Sequence, residues 1–350
     1  MRAGLAAPLL TVHAAGVGLA HVFTLGGALT YTPPVAVPRS VPGLCTSSCL
    51  VMEKCEGVTL AAAGRSLRST LDVSSSNGSN STSAKSDHVG GGLGGWLAAR
   101  RQRQVAKAVV AALAEAFGRM ALEPPGIVHG DPHPGNILLA IVGLDLATPD
   151  TMKAASVRAL VGKPTVGLID WGQITTLEPE RRQALAALIV AMTAPKRVGG
   201  SSCSAESAGG CAVGEALEAL GLEFEGREAA ASSQDSSAAS SENTAKTKLS
   251  QLPGIRPWAD ESATRIAAAS ALATHFFDTL PVAKPFADHP LDTAHPLRTL
   301  KCATFPSDLF LLVRAVQILK ALAEEAGVAD DWTLAEMWRP HAQALLLLPL

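Results

Sequence analysis

Asp131 lies in the stretch HGDPHPGNILL, His129 to Leu139; Asn136 follows within the same stretch, and Asp170 closes the apolar run of VGLIDWGQ. An acid, an amide and a second acid in this order are a set that phosphoryl transfer uses. One carboxylate orients or deprotonates an attacking hydroxyl, and oxygen ligands hold Mg²⁺ on nucleotide phosphates.

The surroundings of these residues suit that chemistry. Asp131 stands between Gly130 and Pro132, with Pro134-Gly135 just beyond. Proline fixes φ and pushes the preceding residue to extended geometry, so the loop is stiff and aims its carboxylate. Asn136 leads directly into an apolar strand. Asp170 follows Val166-Gly167-Leu168-Ile169 and precedes Trp171-Gly172. A carboxylate at the exit of an apolar strand costs free energy unless it is paired or bound to a cation. The plainer readings are a Pro/Gly turn whose Asp and Asn satisfy backbone amides, and an Asp170 that caps a helix or pairs with a buried arginine.

Two further patterns compete for attention. His129, Asp131 and His133 spell H-x-D-x-H, a possible transition-metal triad on one strand face. Pro132 and Pro134 argue against it, because proline does not sit in a central strand. His129 is expected to prop the loop, and His133 is assigned to loop support beside it. GGGLGG, residues 90–95, satisfies G-x-G-x-x-G but follows a serine tract instead of a strand, so it reads as linker.

Elements that position these residues follow from periodicity. Trp96 to Leu122 reads as a helix burying Val109, Leu113, Phe117 and Met120, and it stops before Pro124-Pro125. Ile137 to Leu139 and Thr165 to Ile169 read as short strands flanking the site. Pro179 to Met192 is a second helix with Leu185, Leu188, Ile189 and Met192 inward. Ser262 to Leu280 and Ser307 to Ala326 are further helices. The latter is capped by Ser307, ends at Gly327 and buries Leu309, Leu312, Val313, Val316 and Leu319. Cys49 to Met52 is a short strand. The chain is α+β, mainly helical, with few strands around the site.

Composition bounds the rest. Of 350 residues, 47% are hydrophobic and 17% charged, with a formal charge of −2, so no basic field points to nucleic acid. Six cysteines, sparse for this length and without C-x-x-C spacing, argue against a disulfide or zinc framework. Ser74 to Gly95 and Gly199 to Ser250 are low in complexity and read as flexible insertions. Residues Ala3 to Tyr31 form an uncharged, glycine-dotted run that fits a signal peptide, a transit segment or a membrane span. The sequons at Asn77 and Asn80 matter only in a secreted chain.

HGDPHPGNIL followed by LIDWGQ resembles the UbiB/AarF (ABC-one type) atypical kinase-like family. So do Val37 to Val58, LEPERRQALAALIVAM and FPSDLFLLVRAVQILKALAEEAGV. The resemblance implies a protein-kinase-like C-terminal lobe with a small β remnant of the N-lobe. Its expected division is an apolar segment 1–33, remnant strands and hinge 34–60, linker 61–95, catalytic core 96–195, insertion 196–250 and helices 251–350. The resemblance makes Asp131 the catalytic acid, Asn136 and Asp170 the Mg²⁺ ligands, and Glu53, Lys54 and Cys55 the hinge facing adenine. Gly172 stands in as the glycine of the Asp-aromatic-Gly motif. ATP and Mg²⁺ are the implied cofactors, a lipid or membrane surface a further partner, and a mitochondrion or plastid the implied site.

The chain departs from the family pattern by having neither lysine nor glutamate before the hinge. The strand lysine and helix glutamate of a kinase are missing, as is the family's Lys-x-Gly-Gln segment. The distance from Asn136 to Asp170 implies an insertion around Asp145 to Pro164. Three readings remain: an ATPase or phosphotransferase linked to isoprenoid-quinone lipids, a small-molecule phosphotransferase of the aminoglycoside or choline kinase kind, and an inactive pseudokinase scaffold.

Overall fold

A computed structural model of the chain describes residues 22–25, 28–31, 35–64, 93–141, 164–194, 204–226, 257–282, 284–287, 289–327 and 332–347. Strands β1 (Val22–Leu25) and β2 (Ala28–Tyr31) form an antiparallel hairpin with Val22 opposite Tyr31. The described end of the N-terminal apolar run is therefore β-structure, and its first part, Ala3 to His21, lies outside the described residues. Among the described residues no helix is long and apolar enough to cross a membrane.

Strands β3 (Val35–Ala36) and β4 (Val58–Thr59) precede helix α1 (Leu93–Leu122). Next come β5 (Ile127–His129), β6 (Ile137–Ile141), β7 (Pro164–Leu168) and β8 (Ile174–Thr176). A four-stranded sheet runs in the order β3-β7-β6-β4. Its centre is the antiparallel pair β6–β7, with β3 parallel to β7 and β4 antiparallel to β6. The apolar run Ile137 to Leu139 is buried, as are Val166 and Leu168 opposite, so this pair is held by side-chain burial as well as by its ladder. Gly57 takes φ +119° where β4 begins, and a Cβ there would sit 2.6 Å from the Leu139 carbonyl oxygen. Only glycine lets β4 approach this closely. Cys49 to Met52 is not a strand. It is one arm of a hairpin whose only ladder contact is the bridge Ser40 to Met52, and Leu50 and Met52 are exposed.

The second half of the chain is helical. It holds α2 (Pro179–Met192), α3 (Ser204–Ala219), β9 (Glu223–Phe224) and a 3₁₀ turn at Trp258–Asp260. It continues with α4 (Ala263–Phe277), α5 (Pro296–Leu300), β10 (Cys302–Thr304), α6 (Ser307–Ala326) and α7 (Leu334–Leu346). The chain divides into two compact units, each discontinuous in sequence. One comprises 1–120, 129–174 and 321–330; the other comprises 121–128, 175–320 and 331–350.

Within the second unit, α2 lies against α7 and α3, and Leu185, Leu188 and Ile189 are fully buried. The end of α4 is tied to the start of α7. Thr279 Oγ1 accepts from the Leu334 N–H at 3.1 Å, and Asp278 Oδ1 accepts from the Ala335 N–H at 3.3 Å. Burial raises the Asp278 carboxyl above its ordinary range, and these backbone N–H groups work against that rise. Thr333 and Glu336 complete a capping box on α7. Arg181 on α2 pairs with Asp308 on α6 at 2.9 Å.

Several expected elements change in detail. Helix α1 begins at Leu93, so the last three residues of GGGLGG are helical; Val109, Leu113, Phe117 and Met120 are buried as expected. Helix α2 spans Pro179–Met192 as read, but Met192 is only half-buried. Ser262 is the N-cap of α4, accepting from the Arg265 N–H, and that helix ends at Phe277. Ser307 lies inside α6 instead of capping it, and Val313 is half-buried. Gly327 does close α6 with φ +65°.

The largest correction concerns residues 199–250. Residues 204–226 are packed structure in which Val213, Ala216, Leu217, Leu220, Leu222 and Phe224 are buried. Small residues misled the composition reading: Gly214 is small because Trp258, with no exposed surface, lies directly on it. Residues 227–250, most of the earlier Ser/Asn/Gly tract and the segment 142–163 lie outside the described residues.

Gly214→Ala tests this packing. In an open helix the change stabilises by up to ~1 kcal/mol. Here the added methyl meets the buried Trp258 ring, and overpacking costs typically about 1–3 kcal/mol. A lowered melting temperature is expected; an unchanged or raised one would mean that α3 is not packed on Trp258.

Candidate functional site

The β6–β7 register places Ile137 opposite Leu168, and one step further the Ile169 N–H donates to the Asn136 carbonyl at 3.0 Å. Asn136 and Asp170 therefore leave the same end of one strand pair. The Asn136 Nδ2 donates to the Asp131 carbonyl at 3.1 Å, and the Asn136 N–H donates to the His133 carbonyl at 2.8 Å. The amide thus closes the loop on itself, which leaves Oδ1 as the oxygen donor of that side chain. Asp131 and Asn136 are both buried. Thr59 Oγ1 caps a short helical turn at residues 60–64, whose Ala61 N–H donates to the Pro134 carbonyl at 3.0 Å.

His129 joins the two halves of the site. It is fully buried, its Nδ1 accepts from the Asp131 N–H at 3.1 Å, and its Nε2 lies 3.0 Å from the Ile169 carbonyl oxygen. A ring whose Nδ1 accepts from an amide is the neutral tautomer protonated at Nε2, so Nε2 donates to Ile169. Burial lowers the His129 pKa and favours that same neutral ring, against the pull of Ile169, Asp131 and Asp170. Trp171 meets the ring edge-on at 4.9 Å, and its Nε1 donates to the Leu168 carbonyl at 3.0 Å.

Asp170 has φ +61°, a left-handed conformation uncommon outside glycine and tolerated by Asp better than by most residues. Its side chain is exposed. A Cβ at Gly172 would stand 3.2 Å from Asp170 Oδ1, so any larger residue there would crowd the carboxylate. Sequence reasoning did not single out Gln173. Its carbonyl accepts from the Gly130 N–H at 2.8 Å, and its Nε2 donates to Asp131 Oδ2 at 3.4 Å. The available signal was a polar amide directly after Asp-Trp-Gly.

Asp131, Asn136, Asp170 and Gly172 are thus joined by one backbone and hydrogen-bond framework, with His129 inside it. The H-x-D-x-H triad is not assembled. Both His129 nitrogens are engaged, His133 is exposed with its Nδ1 accepting from Gly135, and no metal-ligating cluster of three His, Cys, Asp or Glu occurs among the described residues. The three oxygen-bearing side chains instead offer the hard donors that Mg²⁺ prefers.

The expected hinge residues are placed differently from one another. Glu53 turns to Arg39, with a 2.9 Å ion pair, and its N–H donates to the Arg39 carbonyl at 2.8 Å. Glu53 therefore has no backbone N–H to offer a base. Lys54 is exposed and pairs with Glu56 at 3.4 Å. Cys55 packs towards Gly167, where an added Cβ would come within 3.5 Å of its own. Burial raises the Cys55 thiol pKa, with Glu53 and Glu56 adding to the rise.

A model of the ABC1 atypical kinase-like domain matches residues 25–198. No curated protein and no solved structure is matched.

The neutral His129 predicts a pH dependence. The unfolded histidine titrates near about 6.5, so below that value the unfolded chain binds more protons than the fold does. The contribution of His129 to stability is complete above about pH 6.5 and is lost as pH falls towards its lowered folded value. Urea unfolding of wild type and His129→Gln between pH 5 and 7.5 should show a shallower pH slope in the variant. Parallel slopes would mean that His129 is not held neutral.

Proposed function

Because residues 25–198 match the ABC1 atypical kinase-like domain, we propose that this chain binds ATP with Mg²⁺ at Asp131, Asn136 and Asp170 and transfers or hydrolyses the terminal phosphoryl group. The observation that carries this reading is the Asn136 amide bonded to the Asp131 carbonyl while the Asn136 carbonyl receives the residue before Asp170. That arrangement supports two acids and an amide acting as one site.

Each residue has a role within the proposal. Asp131 orients the attacking hydroxyl or water and accepts its proton, and Gln173 holds one oxygen of that carboxylate. Asn136 Oδ1 and the Asp170 carboxylate would hold Mg²⁺, which when bound neutralises charge on the phosphates. His129 keeps the Asp131 loop and the Asp170 strand exit together. Lys54 and Cys55 are the part of the hinge proposed to face the base. The finer setting, isoprenoid-quinone lipid chemistry with a lipid surface in a mitochondrion or plastid, has the resemblance of the motifs as its support, as does the kinase-like lobe with a remnant N-lobe.

Purified chain should turn over ATP only with Mg²⁺. Asp131→Ala and Asp170→Asn should each lower turnover by at least about a hundredfold. Asparagine tolerates a left-handed φ as aspartate does, so Asp170→Asn should leave the melting temperature near wild type. Nucleotide binding without turnover would select the pseudokinase reading. Turnover that survives both substitutions would remove these residues from the site.

A further inference from the structure

The hairpin arm that leads into Glu53 carries an apolar edge that the fold leaves open. Every residue from Pro42 to Leu50 is exposed, and Leu44, Leu50 and Met52 keep 56%, 64% and 44% of their surface in solvent. From Ser40 to Met52 the sequence holds no charged side chain. Exposed, uncharged, apolar edges are where chains pair with one another.

Hydrogen bonds within the hairpin fix which way its backbone groups point. The Val41 N–H donates to the Val51 carbonyl, the Glu53 N–H to the Arg39 carbonyl and the Thr46 N–H to the Cys49 carbonyl, each at 2.8 Å. In a planar trans peptide the N–H and the C=O point in opposite directions. The N–H groups of Leu50 and Met52 and the Met52 carbonyl therefore face away from the first arm. None of these three groups has a partner among the described residues.

We infer that this edge pairs with the same edge of a second copy of the chain, antiparallel and about a two-fold axis at Val51. Leu50 then stands opposite Met52 of the second copy. The Leu50 N–H donates to that Met52 carbonyl, the Met52 N–H donates to the Leu50 carbonyl, and the axis repeats both bonds. Donors and acceptors are self-complementary, as a closed two-fold contact requires. The apolar side chains of Leu50 and Met52 from both copies share one face, because residues two apart point the same way. Charge favours this occupant and this register. Glu53 falls opposite Cys49, Lys54 opposite Ser48 and Glu56 opposite Thr46, so no charge meets its like. A charged partner would find no counter-charge between Ser40 and Met52. A lipid surface would leave the outward N–H groups unpaired. The inference stands apart from the nucleotide reading.

Sedimentation equilibrium of the full chain tests it, under reducing conditions and over about a hundredfold range of concentration. The mean mass should rise from one chain towards two. Leu50→Lys combined with Met52→Lys sets like charges opposite each other across the axis and should hold the mass at one chain. Both side chains are exposed, so a melting temperature near wild type is expected for that variant. A disulfide reads the register without relying on the lysines. In a background of Cys45→Ser and Cys49→Ser, Val51→Cys brings two Cα atoms to about 4.5 Å across the axis, within reach of a disulfide. With oxidised glutathione as the acceptor, it should cross-link at least about tenfold faster than Met52→Cys, whose counterpart faces residue 50. A wild type that stays at one chain mass, a lysine variant that still doubles in mass, or equal cross-linking at 51 and 52 overturns the inference.

Discussion

The site depends on one buried imidazole. His129 receives the Asp131 N–H on one nitrogen and donates to the Ile169 carbonyl with the other, so a single neutral ring joins the loop of the first acid to the strand that ends in the second. Protonation would replace the Nδ1 acceptor with a donor and set it against the amide. Burial opposes that change, and the edge of Trp171 covers the ring. Geometry and protonation state therefore reinforce each other.

Around that ring the framework is mostly backbone. The β6–β7 ladder brings the ends of two strands together, and the Asn136 and Gln173 amides each bind part of the Asp131 segment. Local strain is concentrated at Asp170, whose left-handed conformation costs on the order of 1 kcal/mol for a residue other than glycine. Surrounding order holds that conformation in place: the residue before Asp170 is bonded on both its N–H and its carbonyl, and Gly172 leaves space beside the carboxylate.

The second unit shows how small residues can signal close packing. Its helices are rich in alanine and glycine, and low complexity is usually read as a lack of core. In α3 the opposite holds, because Gly214 leaves room for the buried Trp258 ring against the helix. The large side chain that completes this core is distant in sequence, so a composition window over α3 contains only the small half of the contact.

Motif and period were legible from the residues themselves. Asp131, Asn136 and Asp170 stood out through their spacing and flanking prolines and glycines, which act on φ and on strand exit locally. The spans of α2 and α6 followed from hydrophobic period, and so did the buried face of α1, because burial repeats along a helix with its turn. Tertiary structure alone decided the rest. It set the tautomer of His129, the grip of Gln173 on Asp131, the capture of Glu53 by Arg39 and the packing of Trp258 on α3. Each of these joins groups that the chain separates, and such contacts depend on register and burial, which no local window of sequence contains.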